Sequence, residues 1–167
     1  LSSKATGDPG KLADAAIDID GSVEGNEPQI LLGFLVPGLS PERLAVAGAE
    51  GGTFTLKAQG VPSKSVAGHG ELATADLKLA FDGEGSLQPE GVALSGQASA
   101  KSSNAGVALA LLGLDASPSA EVPLDLRADV VKSAGSIAFK SISGEIAGEP
   151  VGGSASFNTG GDKTRFR

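Results

Sequence analysis

Few residues in this chain are of the types that do chemistry, and their spacing limits what they can do. His69 is the single histidine among 167 residues, and there is no cysteine. An imidazole acts as a general base or metal ligand when a nucleophile or further ligands stand beside it. In "VAGHGEL" the alternation puts Val66, Gly68, Gly70 and Leu72 on one side of a strand and His69 and Glu71 on the other. His69 is therefore read as a solvated strand residue, with no second His or Cys to complete a metal site. "DID" at Asp18 to Asp20, followed by Gly21, starts like a calcium loop. The further oxygen ligands and the closing Glu of such a loop do not follow. Both Asp read as the wet side of a strand.

The glycine-rich stretches fail as phosphate loops. "AGAEGGT" and "DGEGSL" lack both the G-x-G-x-x-G spacing and the Gly-Lys-Ser/Thr ending. They read as turns, with Gly supplying positive φ. The serines have no nucleophile-elbow context and no evident His partner. The sequence thus leads to no expected catalytic residue, no metal ligand and no cofactor, and to a non-enzymatic protein.

Composition narrows the partners. The net charge is −7, with 13 basic residues scattered along the chain. Nucleic acid requires a concentrated positive footprint, so no nucleic-acid partner is expected. Attraction to anionic lipid headgroups is disfavoured on the same ground. The apolar residues are Ala, Val, Leu and Ile, with six Phe and no Trp, Tyr or Met, while Gly reaches 25. Such a chain can build a core of small aliphatics but not a pocket anchored on many aromatics. There is no signal-peptide pattern and no apolar run of bilayer length. The first residue is Leu1, as expected of a mature segment or of a piece excised from a longer protein.

The elements that position these residues follow from hydrophobic period. Period-two alternation recurs at Ile17, Ile19 and Val23, at Phe54, Leu56 and Ala58, and at Leu77, Leu79 and Phe81. It returns at Leu124, Leu126, Ala128 and Val130, at Ile137 and Phe139, and at Val151, Ala155 and Phe157. Strands with one buried and one wet face are the mark of antiparallel sheet. Turn signals separate them at Asp82–Gly85, Gln88–Gly91, Gly148–Pro150 and Thr159–Asp162, as in a meander.

Two short apolar runs break this period. In "NEPQILLGFLVPGL", Asn26 can cap a helix with Gln29 three residues on, and Pro28 is tolerated in the first turn. Ile30, Leu31, Phe34 and Leu35 share one helical face, and Pro37-Gly38 ends it. "NAGVALALLGL" places Val107, Leu111 and Leu112 on one face, with a strand as the other reading of this run. Helices are expected over 27–36 and 105–113. They either plug the sheet as ordinary core or line an apolar groove that accepts acyl chains.

The order strand, apolar run, Ser-Pro turn, strands occurs twice, and such repetition decides an architecture. "IDGSVEG" pairs with "LSGQASA", setting Ile19 against Leu94; "TFTLKAQG" pairs with "SIAFKSISG", setting Phe54 against Ile137; "VAGHGEL" pairs with "VGGSASF". The expected organisation is an irregular segment at 1–14 and two β-modules, 15–90 and 91–167, sharing one core.

"PLDLRADVVKSAGSIAFKSISGEIAGEPVGGSASFNTGGDKTRFR" and the capped apolar run resemble the repeating unit near the C-terminal end of AsmA-family proteins. The resemblance runs from about Ala15 to Arg167. It implies a periplasmic segment of a protein anchored in the inner membrane of Gram-negative bacteria and linked to outer-membrane assembly and phospholipid transport. TamB-like relatives form curled sheets with an apolar groove. The expected fold is thus all-β: an antiparallel, strongly curved sheet or half-barrel with one or two short helices on its concave face. The expected partner is phospholipid acyl chains. A binding or adhesion module of a surface β-repeat protein is the alternative function.

Overall fold

The alternating segments become strands of one sheet. The structure, a computed structural model, describes residues 2–6, 13–25, 51–105 and 122–158. Nine strands follow in chain order: β1 (Ser2–Thr6), β2 (Ala16–Gly25), β3 (Gly52–Val61), β4 (Ser65–Thr74), β5 (Leu77–Gln88), β6 (Gly91–Ser102), β7 (Leu124–Ser133), β8 (Ser136–Ile146) and β9 (Glu149–Asn158). Each pairs antiparallel with the next, so spatial order equals sequence order. The sheet is open, because β1 and β9 are its two edges and do not pair with each other. Among the described residues there is no helical element, and no helix long and apolar enough to cross a membrane.

An antiparallel meander needs only a tight turn between neighbours, because each strand reverses the last. Such turns join β3 to β4, β5 to β6, β7 to β8 and β8 to β9. At the last, Ala147 and Gly148 both have positive φ, +57° and +80°. Two successive positive φ values are the signature of the mirror-image turn that matches strand twist. The longer connections, 26–51 and 103–123, follow β2 and β6, and both leave from the same end of the sheet. The buried cluster of Leu72, Leu77, Ala105 and Leu124 sits at that end. Ser102 is buried there too. Its hydroxyl donates to the Asn104 carbonyl at 2.8 Å and accepts from the Asn104 N–H at 3.1 Å, so no polar group is stranded.

Two expectations need correction, and a third falls outside the described residues. Asp82–Gly85, read as a turn, lies inside β5 and pairs with β6 throughout. Gly83 and Gly96 face each other across that pair. A Cβ on Gly83 would collide with the Ser95 carbonyl and stand 2.7 Å from the Gly96 Cα; one on Gly96 would collide with the Asp82 carbonyl. These glycines serve close approach of two backbones, not chain reversal. Ser2–Thr6, within the segment expected to be irregular, forms β1 and pairs along β2 from Asp20 to Ala16. The helix expected over 27–36 lies outside the described residues, as do residues 106–113 of the second.

The twofold order appears as a strand, a long connection and three strands: β2 with β3–β5, then β6 with β7–β9. Ile19 in β2 and Leu94 in β6 hold matching places in that order. Phe54 and Ile137 do not: Phe54 is on the first strand after a long connection and Ile137 on the second. The counterpart of β3 in this order is β7. Letter matches slipped by one strand because every strand carries the same two-residue alternation. The boundary at 90/91 falls in the β5–β6 turn, and the sheet runs unbroken across it.

The glycine geometry gives a paired expectation. Gly83→Ala should destabilise the protein by about 2 kcal/mol or more, since backbone must move on both strands. Gly70→Ala should be neutral or better, because a Cβ there meets nothing within 4 Å. Urea unfolding midpoints of the two variants provide the check.

Candidate functional site: an apolar hollow floored by glycine

Strand register sorts the side chains onto two faces. On one face a polar row crosses seven strands: Asp20, Lys57, His69, Asp82, Gln97, Asp129 and Lys140 stand in successive register from β2 to β8. Lys57 pairs with Asp20 at 3.6 Å, and the His69 Nδ1 lies 3.0 Å from the Asp82 carboxylate. Lys78–Glu71 at 3.0 Å and Lys101–Asp125 at 3.3 Å extend the pattern along the same face. The side chains of His69 and Asp82 are 42% and 79% exposed, so water screens this pair.

His69 is on the wet face, as its alternation requires. The sequence reading missed its partner. Local preference puts Asp82 in a turn, and only the β4–β5 register sets it opposite His69. No hydroxyl bonds to His69 among the described residues, and no group of three His, Cys, Asp or Glu is gathered there that could hold a metal. Asp18 and Asp20 are both exposed on β2.

The other face is apolar, and it carries the cavity. Phe54, Leu56, Leu72, Leu79, Phe81 and Leu94 wall a half-open hollow of about 620 Å³. That is within the range of about 300–1,000 Å³ typical of ligand sites. Its floor is glycine: Gly68 lies opposite Gly83, Gly70 opposite Phe81, and Gly85 opposite Val66. Where each neighbouring strand would place a side chain, these positions place none. The hollow is therefore written in the sequence as "VAGHGEL" and "FDGEGSL", with glycine recurring at every second residue beside Leu and Phe. The Phe81 ring closes part of the floor. Its tip lies 2.7 Å and 2.8 Å from where Cβ atoms of Gly83 and Gly96 would stand.

The residues singled out in the sequence as groove-lining are not in this inventory. Ile30, Leu31, Phe34, Leu35, Val107, Leu111 and Leu112 all lie outside the described residues. The observed lining comes from strands β2 to β6 and was legible only as ordinary strand alternation. Two of the six Phe, Phe54 and Phe81, do wall the cavity, more aromatic surface than composition suggested.

No protein-family model, curated protein or solved structure matches this chain.

Burial divides the two faces energetically. Leu72→Ala, at a residue 1% exposed, should cost about 2–5 kcal/mol. Asp82→Asn should shift stability by no more than about 1 kcal/mol, because its contact with His69 is direct but exposed and screened by water. Denaturant titration of both variants measures the contrast.

Proposed function

We propose that this chain is a non-enzymatic, AsmA-like β-segment that shields the acyl chains of lipid in the glycine-floored hollow. The observation that carries the reading is the cavity itself: aliphatic and phenyl walls, a glycine floor, and ion-paired rows on the opposite face, with His69 and Glu84 the titratable residues that border it. Hydrocarbon asks for apolar area and for no hydrogen bonds, which is what this face offers. Each methylene withdrawn from water contributes about 0.8 kcal/mol, so a partly sheltered chain is held without specific polar contacts. An open sheet also suits a chain that enters sideways, since no ring of strands must be threaded. In this reading the sheet curves about the hollow, the apolar runs over 27–36 and 105–113 border or cover it, and the segment belongs to a periplasmic, inner-membrane-anchored protein of the outer-membrane assembly and lipid-transport class.

The test uses Gly70, which floors the cavity and has free space above it. Gly70→Leu should fill the hollow, keep or raise the unfolding midpoint, and abolish saturable binding of a fluorescent long-chain fatty acid. Native mass spectrometry of the unaltered protein should show co-purified lipid. Unaltered protein that neither carries lipid nor binds the probe would refute acyl shielding.

A further inference from the structure

One charged residue on the apolar face lies beside the hollow. In β7 the apolar side runs Leu124, Leu126, Ala128, Val130, and the next position on that side is Lys132. Register confirms its placement: Lys132 stands between Leu94 of β6 and Ile137 of β8. Leu94 is itself a wall of the cavity. Every other Lys or Arg within β2 to β9 is on the polar face: Lys57, Lys78, Lys101, Arg127 and Lys140. Lys132 is half-buried and makes no ion pair or hydrogen bond among the described residues. Within strands β2 to β9 the carboxylate on its own face, Glu149, opposes Ile146 at the far end of the sheet. A lysine here lays its stem on apolar surface and holds its charge at the edge of that surface, where an anionic group can meet it.

We infer that Lys132 anchors the head of the ligand: its ammonium pairs with the carboxylate of a long-chain fatty acid whose hydrocarbon lies in the hollow. The inference rests on the acyl-shielding reading and adds the polar end of the ligand to it. A single ammonium is a compact point charge, suited to a singly charged head. A phosphate head asks for more donors or a bidentate arginine fork, and Arg127 is on the opposite face. In register the lysine stands between Leu94 and Ile137, so its stem can cover apolar surface while its charged tip meets a carboxylate that stays partly hydrated.

The experiment displaces a fluorescent fatty acid from the full chain with palmitate, hexadecanol or hexadecyl phosphate. Lys132→Met should weaken palmitate competition by about two- to fivefold, the scale of one partly exposed ion pair, and leave hexadecanol competition unchanged. Lys132→Arg should retain the preference for palmitate, and Lys140→Met, on the other face, should alter neither competitor. Equal palmitate competition before and after Lys132→Met overturns the anchor while leaving the groove intact. Parallel loss of both palmitate and hexadecanol overturns it as well, since the lysine would then act through packing alone. Stronger competition by hexadecyl phosphate than by palmitate overturns the carboxylate assignment. Failure of the unaltered protein to bind the probe removes the acyl reading and the anchor together.

Discussion

The backbone ladder between neighbouring strands is the interaction on which the rest of this structure depends. Nine strands in sequence order mean that the hydrogen bonds of each inner strand are shared with its two neighbours in the chain. Register then propagates: once Asp20 faces Lys57, the row through His69, Asp82 and Gln97 to Asp129 and Lys140 follows strand by strand. A slip of one residue anywhere would turn a strand's apolar side to the wet face. The single irregularity of β8 shows the constraint at work. Its pairing with β7 shifts between Arg127 and Asp129, and with β9 between Phe139 and Ile142. The bulge moves the apolar side from Ile137 and Phe139 to Ile142, Gly144 and Ile146, so the same face stays apolar across the extra residue.

Glycine does two opposed jobs within this ladder. Between β5 and β6 the Gly83–Gly96 pair lets two backbones come closer than any Cβ would permit. At Gly70 the absent side chain leaves space, with nothing above it within 4 Å. One use tightens the sheet and the other hollows its surface, and the two lie on adjacent strands. Phe81 links them, covering the tight pair with its ring while walling the space beside it. The abundance of glycine is thus a packing feature as much as a turn feature, and a chain richer in alanine would lose the hollow.

The faces also differ in what they contribute. The charged rows are exposed, so their ion pairs add little to stability but keep that face wet and discourage stacking. Stability comes instead from the ladder and from the cluster around Leu72, Leu77, Ala105 and Leu124, where the long connections leave the sheet. The cluster and the hollow occupy the same face, the cluster at one end and the hollow toward the other, with Leu72 belonging to both. A packed end can hold the strands in register while the other end stays open.

The sequence by itself determined that this chain is antiparallel β, which residues share a face, and that His69 and the Asp18–Asp20 pair point to water. It could do so because side-chain alternation is a local property of each strand, independent of its neighbours. It did not determine which strand pairs with which residue, and that is where its reading failed. Asp82–Gly85 looked like a turn because Asp and Gly are turn residues by local preference, whereas the partner strand β6 holds them extended. With Asp82 misplaced, the contact to His69 was invisible, and so was the hollow, whose glycine floor exists only when β4 and β5 lie side by side. The match of Phe54 to Ile137 failed for the same reason: period two is common to all the strands, and only their order in the sheet tells them apart. Lys132 makes the point most sharply, since its place beside Leu94 depends on two strands separated by a long connection. Local chemistry wrote the faces, and tertiary pairing decided what each face brings together.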